Sequence, residues 1–267
     1  MRCWTVSMIA GLLSLAGCSG ALHQVQKPSQ QEISAAEADV LAEPNLEVRR
    51  QMTVAEANET LTNVIKRIHP VAQQVCREVG HGSCYWRYAM SRSRELNAGA
   101  TDDGRIVLNR GLAELTASDD EIGMVLAHEV AHLVANHPAN TQRNAALGRV
   151  VGGLIGAVAD TGAARGRVYT GGYYTRVGGA LGEAFGGLSY SKEQEREADY
   201  LGVLIAYRAG FDLDKARAVM VTLARDAGKR EAGTFDSHPM GAERLAGYDR
   251  AVAEVRASNG RLPPRLK

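Results

Sequence analysis

The chain has 267 residues, of which 45% are hydrophobic and 23% charged, enough apolar material for one substantial core. Its formal net charge is +1, so charge provides no argument for nucleic acid or an acidic surface as a partner. The pattern along the chain predicts a mainly α-helical fold with a small β-sheet.

Residues 1–17 are expected to be a lipoprotein signal peptide. Arg2 supplies a short basic start, and Met8–Ala16 forms an apolar core too short to span a bilayer. Leu15–Cys18 resembles a bacterial lipobox, which implies cleavage before Cys18 and a lipid on that cysteine. By the same resemblance, Ser19 in place of Asp would favour the periplasmic face of the outer membrane. An ordinary cleaved signal with an incidental cysteine is the alternative.

Three further regions follow from composition. Residues 18–50 are polar with few aromatic side chains and predict a flexible linker, while 51–257 should form the folded domain. The tail at 258–267 contains two prolines and a glycine and is expected to be disordered. The best later candidate for a membrane span, Val150–Ala159, is far shorter than the roughly twenty residues needed.

The domain should begin with helices over 53–79 and 83–95. Cys76, in the first of these helices, and Cys84, in the second, flank a glycine-containing segment that can turn back on itself, and an oxidising compartment would join them in a disulfide. A small metal site that includes His81 is the alternative, although it lacks a fourth ligand. The next region, 96–109, reads as extended chain with a turn at 102–104.

A predicted helix over 119–137 carries His128-Glu129-Val130-Ala131-His132. Residues four apart lie on one helix face, so His128 and His132 can bind the same zinc ion. Glu129 would lie beside the metal, where it can act as general base on a water molecule. The capping residues at 118–121 and the apolar neighbours indicate a buried helix, in which imidazoles need partners.

The residues after this helix exclude a third histidine ligand of the metzincin type. That pattern requires a histidine at position 138, where this chain has Pro138. His137 is expected to face solvent near the helix end. Residues 148–189 are rich in glycine, which predicts either a mobile lid or a close helix contact.

The third ligand is predicted in a second helix, over 192–209. Glu195 and Asp199 are four apart and share a face, so Glu195 can bind the metal while Asp199 accepts the outer N–H of a ligating histidine. Glu193 and Glu197 are expected to be first-turn charges that only suit the helix dipole. Further helices should cover 213–228 and 240–256.

Together, His128-Glu129-x-x-His132 and Glu195-x-x-x-Asp199 resemble the zinc peptidase family of CAAX prenyl proteases, HtpX and the periplasmic proteins LoiP and BepA. Three other segments agree with that family: 97–109 before the zinc helix, Gly111-Leu112, and Ser237-His238-Pro239 with Arg244. The similarity covers about 55–250 and implies a gluzincin-type zinc metallopeptidase domain with one zinc ion per chain.

The resemblance also implies roles for residues outside the two motifs. His238 would stabilise the oxyanion or hold the open zinc position as a brake, and Arg244 would support the site. The strand Arg105-Ile106-Val107-Leu108 is expected to lie at a sheet edge and to pair with an extended substrate backbone. One of the tyrosines could also serve the oxyanion, but the sequence selects none of them.

The implied function is a zinc-dependent endopeptidase of the Gram-negative envelope that hydrolyses unfolded or misfolded proteins. Its partners would be polypeptide substrates and the outer membrane. The alternative is an outer-membrane assembly factor or chaperone with latent proteolysis, which would contact the assembly machinery. The intact Glu129 favours the enzyme, because a pure binding protein needs no general base.

Overall fold

A computed structural model describes residues 20–43, 50–80, 83–165, 170–177, 180, 190–227, 238 and 240–266. The expected signal peptide and Cys18 lie outside these residues, as do Ser237 and Pro239. The helices are α1 Gln30–Ala42, α2 Val54–Val79, α3 Arg110–Leu115, α4 Asp119–Val134, α5 His137–Arg165, α6 Lys192–Arg208, α7 Leu213–Ala227 and α8 Ala242–Ala257. The strands are β1 Arg87–Ser91, β2 Ala98–Ala100 and β3 Arg105–Asn109.

Helix α4 is the centre of the fold. Nearly every residue of α4 is buried, because α2, α6 and α7 all pack against it. An all-round buried helix of this kind needs apolar residues on every face, and the successive residues Met124, Val125 and Leu126, about 100° apart around the axis, supply three of them. Helix α8 covers α6 and α7 on the far side. The buried side chains form one continuous hydrophobic core.

The sheet corrects two expectations. Residues 83–95, predicted as a helix, contain β1, which pairs in parallel with β3. The strand order is β1-β3-β2, so β3 lies in the middle and its main chain is paired on both sides. The expected substrate strand, Arg105 to Leu108, is therefore not an edge strand. Among the described residues the edge nearest α4 belongs to β2.

Cys76 and Cys84 form a disulfide, with their Cα atoms 5.8 Å apart. The bond connects the last turn of α2 to the segment that leads into β1. Helix α2 ends at Gly80, whose φ of +71° is the left-handed conformation that glycine adopts without strain.

The expected flexible linker is replaced by ordered structure over residues 20–43. Ser29 caps α1 in a capping box with Glu32, and Ala36 is buried against α8. Two ion pairs connect α1 to α7 and α8: Arg217 of α7 lies 2.6 Å from Asp39, and Arg250 of α8 lies 3.1 Å from Glu32.

The residues before α1, 20–28, form an N-terminal arm that lies against the domain. The arm pairs with the C-terminal tail, since Gln24 N–H donates to the Pro264 carbonyl at 2.8 Å and Leu266 N–H donates to the Leu22 carbonyl at 2.9 Å. The tail over 258–266, expected to be disordered, is thus held by main-chain hydrogen bonds.

Helix α5 follows α4 after a turn at Asn136, which has a φ of +57°. A Cβ at Gly156 would lie 1.9 Å from the Tyr174 carbonyl oxygen, so this glycine lets residues 170–177 approach α5 closely. The close-contact interpretation of the glycine-rich region holds at this position, whereas most of 166–189 lies outside the described residues. No described helix is long and apolar enough to cross a membrane.

Candidate metal centre

Two buried helices that cross at close range bring the site together. Ser118 caps α4 by accepting the Glu121 N–H at 3.3 Å, and Ser191 caps α6 by accepting the Gln194 N–H at 3.2 Å. At the crossing, a Cβ on Gly202 of α6 would lie 3.1 Å from the backbone N of His128. The glycine therefore permits the short distance between the two helices.

Four side chains converge where the helices cross: His128 and His132 from α4, Glu195 from α6, and His238 from the segment before α8. His132 Nε2 lies 3.1 Å from His128 Nε2 and 3.5 Å from Glu195 Oε1, and His128 Nε2 lies 3.6 Å from Glu195 Oε2. His238 Nδ1 lies 3.3 Å from His128 Nε2 and 2.9 Å from Glu195 Oε1.

This donor set fits a metal ion. Two ligand atoms about 2.0–2.2 Å from one tetrahedral centre would be about 3.3–3.6 Å apart, close to the spacing of the two α4 imidazoles and Glu195. Imidazole lone pairs turned toward one another inside a protein also repel unless a proton or a cation lies between them. Burial and the neighbouring His128, His238 and His137 hold the pKa of His132 well below its usual value, so the ring is neutral, as a metal ligand must be.

Asp199 and Arg244 support the cluster from behind. Asp199 Oδ1 lies 3.0 Å from His128 Nδ1, the ring nitrogen that faces away from the other ligands. Arg244 donates to both oxygens of Asp199, at 2.9 and 2.6 Å, and its Nη1 lies 3.0 Å from Glu195 Oε2. Burial raises the pKa of the Glu195 carboxyl, but Arg244 and His238 outweigh it and hold that pKa below its ordinary value. Glu195 is therefore an anion ready to bind a cation.

Glu129 is a buried carboxylate at the mouth of the cluster. It is 3% exposed, and its Oε2 is a buried oxygen with no hydrogen-bond partner among the described residues. Its Oε1 lies 3.7 Å from His238 Nε2. Burial works to lower the pKa of His238, but Glu129 and Glu195 raise it to about 9. The two acids thus attract positive charge to the position of His238.

Tyr190 is a site residue that sequence reasoning did not select. Its ring stacks on His132 with centroids 4.0 Å apart and lies 5.2 Å from His238. Burial raises the pKa of its hydroxyl, as do the charges of Glu129 and Glu195, so the group stays protonated and can donate a hydrogen bond. Its position one residue before the Ser191 cap is the only local signal that marks it.

His137 and Glu197 were both assigned wrongly from sequence. His137 is fully buried rather than facing solvent, because the chain turns at Asn136 and a new helix carries it back toward α4. Its Nδ1 lies 3.0 Å from His132 Nδ1, and its Nε2 lies 3.0 Å from Glu197 Oε2. Glu197, expected to be a first-turn charge that only suits the helix dipole, is also fully buried.

A largely apolar cavity opens beside His128 and Glu129. Its wall includes the start of β2 and residues of α4 and α7: Leu96, Asn97, Ala98, Met124, Val125, Met220 and Leu223. The cavity places a hydrophobic surface and a strand edge next to the candidate metal centre, an arrangement suited to a peptide with an apolar side chain.

The comparisons agree with this geometry. The model of Peptidase family M48 matches residues 60–251, which is more than half of the chain and includes both helices of the site. No curated protein matches the chain. Because the matched region holds the His-Glu-x-x-His motif, Glu195 and His238 at one buried cluster, the chain belongs to Peptidase family M48 and is a metallopeptidase with a mainly helical domain and a small sheet.

Proposed function

We propose that this protein is a zinc endopeptidase of the bacterial envelope that hydrolyses unfolded or misfolded polypeptides. The observation that carries the proposal is the convergence of His128, His132 and Glu195 within 3.1–3.6 Å of one another, beside the buried carboxylate of Glu129. Two imidazoles and one carboxylate are a ligand set typical of catalytic zinc, which keeps a further position for water or substrate. A zinc ion there would polarise the scissile carbonyl and activate a water molecule.

Glu129 is the proposed general base. Its Oε2, which has no hydrogen-bond partner among the described residues, takes the proton from the attacking water and then delivers it to the leaving nitrogen. Tyr190, with a hydroxyl that stays protonated, is placed to donate a hydrogen bond to the oxygen of the tetrahedral intermediate. Asp199 holds His128 in a fixed orientation, and Arg244 keeps Asp199 in place.

His238 is proposed to act as a brake at rest. Its Nδ1 lies among the other three donors, where the open position of the zinc would be, and 2.9 Å from Glu195 Oε1. A substrate would have to displace this ring before its carbonyl could reach the metal. The resting enzyme would then be largely inactive, which suits a protease that shares a compartment with folded proteins.

Substrate binding is proposed at the outer edge of β2 rather than along β3. The main-chain groups of Asn97 and Thr101 form hydrogen bonds to β3. Because successive residues of a strand direct their N–H and C=O groups to opposite sides, those of Ala98 and Ala100 point away from β3, where the strand of a substrate could pair with them. The main chain of a substrate would be held there irrespective of its side chains, while the neighbouring apolar cavity would favour one hydrophobic residue. Such recognition suits unfolded chains, whose main chain is free to pair.

The proposed location is the periplasmic face of the outer membrane, through a lipid on Cys18. Supporting this proposal, Cys18 lies only two residues before a contact with the domain. The Gly20 carbonyl accepts a hydrogen bond from Asn140, at the start of α5, at 3.0 Å. Two residues span at most about 7 Å, so a lipid on Cys18 would hold α5 close to the membrane. Helix α5 exposes a stripe of aliphatic side chains: Leu147, Val150, Val151, Leu154, Ile155 and Val158. The Cys76–Cys84 disulfide also suits an oxidising compartment.

The experiment that tests this function is cleavage of casein by the chain from Ser19, supplied with zinc. Glu129→Gln serves as the matched control, because it removes the base and leaves all the proposed ligands. We expect cleavage by the unchanged chain only, and one zinc per chain in both proteins, lost in Glu195→Ala. If neither protein cleaves although both carry zinc, the assembly-factor alternative with latent proteolysis replaces the enzyme. Absence of zinc from the unchanged chain would reject the metal site itself.

A further inference from the structure

Three buried polar side chains form a line that starts beside His132. His137, Glu197 and His23 are all at least 97% buried, with exposures of 0%, 0% and 3%. His132 Nδ1 lies 3.0 Å from His137 Nδ1, His137 Nε2 lies 3.0 Å from Glu197 Oε2, and Glu197 Oε1 lies 2.6 Å from His23 Nδ1. Four groups are thus hydrogen-bonded in a row without access to water.

The direction of these hydrogen bonds follows from the main chain of the N-terminal arm. Leu22 N–H donates to Glu197 Oε2 and His23 N–H donates to Glu197 Oε1, both at 2.8 Å. A main-chain N–H can only donate, so both oxygens of Glu197 act as acceptors, as in a carboxylate. His137 must therefore donate to Glu197 from Nε2. A neutral His137 then has only an acceptor at Nδ1.

This direction determines the tautomer of His132. Beside a neutral His137, whose Nδ1 accepts, His132 must carry its proton on Nδ1 and leave Nε2 bare. Nε2 is the atom that faces His128 and Glu195. The opposite tautomer would place a proton in the middle of the cluster, where it would block a metal ion.

We propose that Glu197 is a positioning residue for His132, acting through His137, and that the N-terminal arm holds Glu197 in the orientation this requires. The inference deepens the proposed zinc site and rests on it. Each histidine of the His-Glu-x-x-His motif then has its own carboxylate on α6: Asp199 directly for His128, and Glu197 through one imidazole for His132. The arm is consequently a structural part of the metallopeptidase domain.

The first test is Glu197→Gln, which keeps the shape of the side chain but adds an N–H₂ donor. With its N–H₂ at the position of Oε2, the new amide donates to His137 Nε2 and loses the hydrogen bond from the Leu22 N–H. His137 Nε2 then becomes an acceptor, the directions of the hydrogen bonds reverse, and a proton on His132 Nε2 is favoured. We expect the zinc dissociation constant, measured by competition with a chromophoric chelator, to rise about 10–100-fold. The matched control is Glu193→Gln on the same helix, where the side chain is 43% exposed and pairs with Arg196. This control should bind zinc like the unchanged chain.

A second readout does not depend on the metal. Nitrogen-15 shifts of the His132 ring in the metal-free protein should show the Nδ1–H tautomer in the unchanged chain and a mixture in Glu197→Gln. If this variant does not fold, His137→Gln and His137→Leu replace it. A glutamine can accept from His132 and donate to Glu197, so it should retain most of the zinc affinity that leucine loses.

Unchanged zinc affinity and an unchanged His132 tautomer in a folded Glu197→Gln would overturn the inference. So would equal zinc affinities for folded His137→Gln and His137→Leu. Failure of the proposed function gives a different result, because the unchanged chain would then bind no zinc while the tautomer of His132 still depended on Glu197.

Discussion

Gly202→Ala tests whether the close crossing of α4 and α6 creates the metal centre. The new Cβ would lie 3.1 Å from the N and Cα of His128 and 3.0 Å from Met124 Cε. Met124 can rotate away, but the His128 atoms belong to the backbone of a buried helix. The helices must therefore separate by a few tenths of an ångström. Metal sites tolerate ligand distances within about 0.2 Å, so this displacement exceeds what the site can absorb.

The expected effect on stability is small, because two contributions oppose each other. Alanine stabilises a helix by about 1 kcal/mol relative to glycine, whereas an extra methyl group in a packed core costs about 1–3 kcal/mol. The net loss is then about 0–2 kcal/mol, which lowers Tm by at most about 8 °C in a domain of this size. Zinc affinity should fall about 10–100-fold, the range found when the surroundings of a metal site are disturbed.

Chelator competition and thermal unfolding of the metal-free protein measure the two effects separately. Gly247→Ala in α8 is the control, because nothing lies within 4 Å of its new Cβ. This control should stabilise the protein by up to about 1 kcal/mol and leave zinc affinity unchanged. A Gly202→Ala protein with the zinc affinity of the unchanged chain would refute the argument that this glycine sets the distance between the ligands.

Three other substitutions test separate parts of the site. Arg244→Met leaves the buried carboxylate of Asp199 without its bidentate partner. The free energy of unfolding of the metal-free protein, measured in urea, should fall by about 3–5 kcal/mol. A fall of less than about 1 kcal/mol would contradict the buried pairing. His238→Ala should raise the initial rate of casein cleavage severalfold, because the apparent affinity for substrate rises with the fraction of enzyme in which no histidine ring covers the metal. A fall of the rate to background would make His238 catalytic instead. Ala98→Pro removes the outward N–H of the β2 edge, a position where proline is tolerated, so KM should rise severalfold while kcat and Tm change little. An unchanged KM would place substrate elsewhere.

The features that depend on local geometry were predictable from the amino-acid sequence. The four-residue spacing of His128 and His132 puts them on one helix face whatever surrounds the helix, and the same holds for Glu195 and Asp199. The capping residues at 118–121 similarly marked where α4 begins. The capping box at Ser29 was an equally local signal for α1, but the polar composition around it was read as a linker.

The features that depend on contacts between distant segments became visible in the folded protein. The 83–95 region forms a strand because β3 lies parallel to β1 and pairs with it, and the same pairing removes β3 from the sheet edge. Glu197 is separated by 174 residues from His23 and by 60 from His137, so no local pattern could show that both surround it. Burial of a charge is stable only where distant donors meet it, and those donors come together when the chain folds.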